Sequence, residues 1–570
     1  MKLIQVRTFL TICISTAFLF AAITTEATSR HPVRGINGVV ASSSYIASDV
    51  GVEIMRQGGN AVDAAIATAF AMAVTWPTAG NIGGGGFLIY HGANGEATAF
   101  DFREKAPKAS TKTMYLDDEG NVKANSNHDG ILAVGVPGTV AGLELAHQRL
   151  GSMPWADLLQ PAIDLARNGM PISWNLHDSF KRLNEWWQLY PSSAKIFLRD
   201  DGSFYQPGDT WKQADLAATL GRIQEHGKDG FYKGETANLL ANFMAANDGI
   251  ITLDDLAQYE AKEREPIRGN YRGYQIVSMP PPSSGGTALV QMLNILEGFN
   301  LREIGHNSAL YLHLLTESMR RAYADRAKHL GDLDFNERMP IADLISKKHA
   351  AKQRSTIVMH KASESDPARF AQPYESEETT HFSVVDKSGN MVSLTYTLEH
   401  GYGSKIVVDG AGFLLNNEMG DFNAQPGVTT ESGTIGTRPN QIRPEQRMLS
   451  SMTPTIVAKN NIPLFATGTP GGRTIINTTM QTILNIIDFD MNIARAISAP
   501  RIHHQWLPNR TRMESGFFSA DTIALYEQRG HIIDNSDSIG SAMAVYRNPE
   551  TGVLSGAADP RAADGRVAAF

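Results

Sequence analysis

Cysteine is almost missing from this sequence: of its 570 residues only Cys13 is one. It falls in an apolar N-terminal stretch with the form of a removable leader, so the mature chain is expected to carry no thiol. That excludes a cysteine nucleophile, a thiolate metal site and any disulfide. It does not argue against export, because a chain this long can bury a core without staples. Charge is also scarce. Charged residues make up 19% and the formal net charge is −8, with no Lys/Arg run, so nothing draws the chain as a whole to nucleic acid or an anionic membrane. Beyond the leader no apolar stretch is long enough to span a bilayer, and no repeat of fixed period occurs. Two glycine-rich stretches, 83–86 and 467–474, lack the Lys-Ser/Thr of a phosphate loop, and neither has the dinucleotide pattern in a βαβ setting. A nucleotide site is not expected. Any nucleophile must be Ser, Thr, Lys, a carboxylate or an amine.

The first residues carry a signal. Lys2 and Arg7 precede the mostly apolar residues 9–23, and Thr25-Glu26-Ala27-Thr28 follows. This is a positive region, an apolar region and a small-residue cleavage site, with cutting expected after Ala27. Residues 1–27 are therefore expected to be a signal peptide and the protein to be exported, either periplasmic or secreted.

Residues 44–75 read as two helices broken at Gly58-Gly59, with Asn60 as N-cap of an Ala-rich second helix. A strand is expected over 87–90. Residues 157–318 read as mainly helical, interrupted by the Pro/Ser/Gly-rich loop 279–286, and 320–332 is helical again. Over 355–378 Ser, Glu, Asp, Lys and Pro dominate and periodicity disappears, the mark of a mobile, exposed segment. Order resumes at Thr379. Alternation over 381–385, a turn at 387–390 and a second strand over 392–398 make a hairpin. Strands over 455–457 and 464–466 and a helix over 474–487 follow. Helices and strands intermingle throughout, which indicates layered sheets of an α/β or α+β class.

If the turn centres between Ser388 and Gly389, facing residues have numbers summing to about 777, so Thr397 falls within one position of Thr379. Either threonine alone is explained by the liking of Thr for strands. Two hydroxyls meeting just after an acidic, aperiodic segment suggest more. Threonine is a poor nucleophile without a base, and one solution is its own α-amino group, whose ordinary pKa of about 7.7–8.0 suits proton transfer at neutral pH. That requires cleavage between Glu378 and Thr379. Gly471 and Gly472 follow a strand and open a helix, and they can present backbone N–H groups to an oxyanion without an intervening Cβ.

Thr379-Thr380-His381-Phe382-Ser383-Val384-Val385-Asp386 resembles the start of the small subunit of the γ-glutamyltransferases (γ-glutamyltranspeptidases, glutathione hydrolases), members of the N-terminal nucleophile hydrolases. The resemblance extends in order through Gly59-Asn60-Ala61-Val62-Asp63, Asp101-Phe102-Arg103-Glu104, the 279–286 loop, Leu415-Asn416-Asn417-Glu418, Leu449-Ser450-Ser451-Met452, Pro470-Gly471-Gly472, Ala499-Pro500-Arg501 and Asp559-Pro560-Arg561. It covers essentially everything after the leader.

The resemblance implies an α+β fold, a four-layer αββα sandwich built from two intertwined subunits cut from one precursor. The large subunit would be 28–378, with 358–378 as its mobile C-terminal segment, and the small subunit 379–570. It implies Thr379 as nucleophile for self-cleavage and catalysis, and Thr397 as its hydrogen-bond partner. Gly471 and Gly472 would form the oxyanion hole. Arg103, helped by Ser450 and Ser451, would hold the substrate α-carboxylate, which suits the bidentate fork of arginine. Glu418 and Asp421, with Glu399 beside them, would receive the α-ammonium. Without the surrounding motif Arg103 would read as a surface ion pair with Asp101 or Glu104. The implied substrates are glutathione, γ-glutamyl amides and amino acid or dipeptide acceptors. No cofactor and no metal are implied; His503-His504 reads as a pair that packs or supports neighbouring site residues.

The sequence departs from the family at several points. Glu399 stands where many members have Asn, Gly420 replaces a common acidic residue, and Met448 replaces a proline. The lid-length segment 426–447 contains no aromatic residue, with Ser432 nearest the position of a gating tyrosine in other members. Two rivals share the pattern: a β-lactam or glutaryl acylase of the same fold, and an uncleaved, non-catalytic binding module.

Overall fold

The computed structural model describes residues 30–366, 379–428, 430 and 436–570. The expected leader, Cys13, Glu378 and Ser432 lie outside the described residues. Contacts divide the chain into residues 1–31 and one compact unit, Pro32–Phe570. No helix among the described residues is long and apolar enough to cross a membrane.

The expected helices form where the caps place them. Asn60 accepts the N–H groups of Val62 and Asp63, and Asp63 returns a bond to the Asn60 N–H, so a capping box starts the helix Ala61–Thr75. Every residue of that helix is buried, as its Ala-rich, unpatterned sequence requires. Tyr45–Arg56 precedes it and packs against it.

Two seven-stranded sheets are antiparallel throughout. One runs, in spatial order, Arg566–Ala569, Gly38–Ser42, Thr380–Asp386, Met391–Thr397, Gly85–His91, Ala97–Phe102 and Lys262–Arg264. The other runs Val33–Gly35, Leu554–Ala558, Met543–Arg547, Ile462–Gly468, Thr455–Lys459, Tyr274–Ser278 and Ile267–Tyr271. Alternation gives each strand two buried faces. On the first sheet Phe382, Val384, Leu394 and Tyr396 join the core under the helices 45–75. Val385, Met391 and Phe87 instead meet Ile456, Ala466 and Met543 of the other sheet. That second sheet turns Ile276, Val457 and Phe465 toward helices Gly285–Leu296, Ala309–His329 and Thr474–Ile487. Helix, sheet, sheet, helix is the αββα order expected.

Two expectations need correction. The stretch read as mainly helical contains the strands Ile267–Tyr271 and Tyr274–Ser278. Arg272 and Gly273, at φ +49° and +83°, make the tight reversal between them, a turn that their pairing favours. Second, the segment read as mobile from 355 onward is anchored over its described part, 355–366. Ala362 donates to the Arg529 carbonyl, Ser363 N–H donates to Glu317, and Arg321 donates to Thr356. Polar residues are held here by a buried charge cluster instead of by periodic apolar burial.

Candidate active site

The hairpin pairs Thr380 with Tyr396 and Val385 with Met391; continued by one residue, that register sets Thr379 opposite Thr397. It is shifted by one residue from the register expected, because the loop is one residue longer. Asp386 and Asn390 close a three-residue turn centred on Ser388, with Gly389 at φ +89°. Thr379 and Thr397 fall on the alternation that faces the second sheet. So does His381, which bonds Thr395 and Ser383 at 2.8 and 2.9 Å, and whose pKa burial pushes down to about 3.

Thr379, Thr397 and Gly472 line one small pocket together with Arg103, Glu399, Glu418, Asp421, Ser450, Ser451, Met452 and Ile475. Gly471 lines a larger space that Thr379 also borders. Every site residue expected among the described positions therefore converges on Thr379. Gly471 and Gly472 leave the strand Ile462–Gly468 at φ +131° and +54° and lead into the helix Thr474–Ile487. Left-handed backbone favours glycine. A Cβ on Gly471 would stand 2.3 Å from Thr474 Oγ1. Their N–H groups sit at a helix N-terminus, where donors lack intrahelical partners.

Asparagines hold the acidic side. Asn416 Oδ1 accepts the N–H groups of Gly135 and Glu418 at 2.8 and 3.0 Å. Asn440 donates to the Asp421 carbonyl at 2.6 Å and accepts Leu449 N–H at 2.8 Å, which brings the Leu449-Ser450-Ser451 turn against the Glu418–Asp421 turn. Arg103 lies between them, 1% exposed. It donates to Glu418 through Nη1 and to Asp421 through Nη2, and Glu104 lies 3.6 Å away. Asp101 does not take its guanidinium; that carboxylate pairs with Arg264 and Arg447. The surface part of that alternative fails, because Arg103 is buried; Glu104 does pair with it, alongside the two acids expected at the site. Ser451 Oγ accepts from Arg326, a residue the sequence did not mark, and Ser450 Oγ accepts Met452 N–H.

The electrostatics follow from burial. Burial alone would lower the Arg103 pKa, but Glu418, Asp421 and Glu104 outweigh it and raise it. Burial lifts Glu104 to about 7 and Glu418 well above the usual carboxylate range, against the pull of Arg103. Both acids therefore hold a proton more readily than a free carboxylate would, which relieves the crowding of acids around one guanidinium. Glu399 sits at φ +77°, strained for a residue with a side chain. Its N–H donates to Thr397 Oγ1 at 2.8 Å, and its carboxylate lies 2.9 Å from His128 Nδ1.

Beyond Thr379 opens a cleft of about 920 Å³ lined by Trp76, Trp186, Arg182, Lys405, Arg561 and other residues, with no carboxylate among the described residues lining it. Thr379 thus lines both an acid-rich pocket and a cleft with basic residues in its walls. His503 and His504 stand apart from both: His503 bonds Asn477 and Gln505, His504 accepts Trp506 N–H, and burial lowers both pKa values. Both imidazoles are buried and lie outside the residues lining the pocket and the cleft.

The profile of the family described as Gamma-glutamyltranspeptidase matches residues 47–569. A glutathione hydrolase proenzyme of Escherichia coli strain K12 is 47% identical over 545 residues, covering 95% of this chain and 93% of that protein. Among solved structures, the gamma-glutamyltranspeptidase of Helicobacter pylori aligns with TM-score 0.56 and 45% identity, over 59% of this chain and 95% of that one. The cephalosporin acylase of Bacillus halodurans aligns with TM-score 0.85 and 28% identity, over 96% and 98% of the two chains.

Proposed function

The chain belongs to the gamma-glutamyltranspeptidase family, and from that premise we propose that it is a self-cleaving γ-glutamyltransferase and glutathione hydrolase whose nucleophile is Thr379. Maturation starts when Thr379 Oγ1 attacks the Glu378 carbonyl. The peptide C–N bond breaks as an ester forms, and water hydrolyses the ester, leaving a Glu378 carboxylate and a free Thr379 α-amine. That amine then takes the hydroxyl proton as Oγ1 attacks the donor's γ-carbonyl. The Gly471 and Gly472 N–H groups meet the oxyanion, the proton passes to the leaving amine, and a γ-glutamyl ester remains. Water or an amino acid or peptide amine resolves it, giving hydrolysis or transpeptidation.

The observation that carries this reading is the convergence of Thr379, Thr397 and Gly472 with Arg103, Glu418, Asp421, Ser450 and Ser451 on one pocket. A zwitterionic γ-glutamyl head has a carboxylate for Arg103 and an ammonium for the acids that Arg103 bridges. A glutaryl donor has no such cation, so the placement of Glu418 and Asp421 on either arm of Arg103 argues for the transferase over the acylase. The basic walls of the cleft suit the carboxylate of a peptide leaving group or acceptor. We also read the protein as exported, on the pattern of residues 1–27, and as a heterodimer of 28–378 and 379–570 after cleavage.

The test is a denaturing gel with N-terminal sequencing, alongside turnover of a γ-glutamyl anilide. Two fragments, the smaller beginning at Thr379, and a single inactive chain in Thr379→Ala are expected. A small fragment still released from Thr379→Ala would overturn the hydroxyl-attack mechanism. One uncut, inactive wild-type chain would favour the binding module.

A further inference from the structure

We propose that His128 is a positioning residue for donor recognition: its imidazole holds the Glu399 carboxylate in place as a counter-charge for the donor's α-ammonium, and it reaches that place because residue 420 has no side chain. The inference rests on the reading of the pocket as a γ-glutamyl site.

Glu399 is 4% exposed, and neither carboxylate oxygen makes a hydrogen bond among the described residues. A buried carboxylate without a partner is costly, so something must hold it. His128 Nδ1 lies 2.9 Å from Oε1, at ion-pair distance though off the hydrogen-bond direction, and His400 Nε2 lies at 3.9 Å. The two rings stack with centroids 5.1 Å apart and planes 14° apart. Nearly parallel, separated rings cannot aim their in-plane lone pairs at one shared ion, so the His128-Glu399-His400 cluster is not built as a metal site. It is built as a carboxylate with a stacked imidazole pair against it.

The backbone around the cluster is tied down. Asn417 Nδ2 donates to the His128 carbonyl at 2.9 Å, while Asn417 Oδ1 accepts His400 N–H at 3.0 Å. One asparagine, adjacent to Glu418, therefore fixes both imidazole-bearing segments. Gly420 supplies the room. A Cβ there would stand 2.2 Å from His128 Nδ1 and 2.9 Å from Glu399 Oε1, so any side chain would drive the ring away.

Electrostatics agree. Burial would lower the His128 pKa, but Glu399, followed by Asp421 and Asp129, outweighs it and raises it. The ring is held toward its charged form. With Oε1 fixed against His128, Oε2 is left for the pocket that Glu399 shares with Glu418 and Asp421.

The test compares ligands that differ by the α-ammonium alone. Binding of L-glutamate and of glutarate to the self-cleaved protein is measured by calorimetry, in wild type, His128→Ala, His128→Asn and Gly420→Ala. Wild type is expected to prefer L-glutamate. His128→Ala should lose about tenfold of that preference, the size of one charge-assisted contact, and His128→Asn, which restores an N–H near the position of Nδ1, should recover part of it. Gly420→Ala, with His128 intact, should lose preference like His128→Ala, which keeps the inference testable if the latter does not fold. A preference unchanged in both, or equal weakening of both ligands, overturns it. Wild type that prefers L-glutamate but turns over no γ-glutamyl anilide would overturn the proposed reaction, while the variant ratios still decide the role of His128. Equal wild-type binding of the two ligands overturns both.

Discussion

The hydroxyl of Thr397 accepts the backbone N–H of Glu399 at 2.8 Å, so the threonine facing the nucleophile also fixes the backbone of a residue in the acid-rich pocket. Glu399 holds φ +77°, a conformation that costs on the order of 1–3 kcal/mol for such a residue and needs a partner to persist. In the proposed reaction, nucleophile alignment and donor reading would therefore share one side chain.

Thr397→Val keeps the shape and removes the hydroxyl. Leaving the Glu399 N–H unsatisfied costs about 1–3 kcal/mol, too little to unfold a chain of this size. Self-cleavage and kcat should both fall, because orientation of the nucleophile acts on the transition state, and KM for γ-glutamyl donors should rise. Thr397→Ser should retain all three. Time courses of cleavage on gels, with kcat and KM of the mature enzyme, are the measurement. Unchanged processing and kcat in Thr397→Val would remove Thr397 from the site.

Much of this was legible in the sequence, for identifiable reasons. The Thr380–Thr397 hairpin announced itself by period-two alternation around a Gly turn, and its register missed by one because the loop holds three residues instead of two. The helix Thr474–Ile487 and the Asn60 cap are local patterns, and local patterns survive folding. The Ile267–Ser278 strand pair was lost because its only signal, Arg272-Gly273, sits among helical neighbours. His128 and Arg326 gave no signal at all. A histidine in a polar loop and an arginine in a long helix acquire roles through contacts with residues 399 and 451, far away in the chain.

Glu317 marks a second charge cluster, outside the pocket. Its side chain is fully buried on the helix Ala309–His329, with Arg321 Nη1 at 2.6 Å, Arg320 Nε at 3.3 Å and Ser363 N–H at 3.0 Å. Burial pushes its pKa up, but Arg320, Arg321 and the Ser363 hydroxyl outweigh that and bring it to about 2, below the ordinary 4.5. A folded-state pKa below the unfolded one gives stability that is present above the unfolded value and lost as pH falls toward the folded value. The window is thus from about 4.5 down to about 2, and its size is on the order of 3 kcal/mol. Glu317→Gln should lower Tm above this window and flatten the acid limb within it. Scanning calorimetry of both proteins across the window checks this, and parallel curves would show that Glu317 contributes no pH-linked stability.

The final prediction concerns Asp421 and its contact with Arg103. In this structure Arg103 bridges Glu418 and Asp421, so a donor must supply both a carboxylate to draw the guanidinium and an ammonium to replace it. A γ-glutamyl donor supplies both; a glutaryl donor supplies only the first. Asp421→Asn removes the anion and keeps the shape, and Thr379 should still cleave its own chain because the proposed self-cleavage involves no α-ammonium. A hydrogen bond to a charged group contributes roughly 1.5–3 kcal/mol, which corresponds to about a ten- to hundredfold fall in kcat/KM for the γ-glutamyl anilide. The glutaryl anilide should lose little or gain, since Arg103 then has one competing carboxylate fewer. Glu418 and Glu399 line the same pocket and can take part of the ammonium's charge, so a small effect in the single variant calls for Asp421→Asn combined with Glu418→Gln. If both donors still respond equally in the double variant, Asp421 supports the fold or the nucleophile and does not read the ammonium.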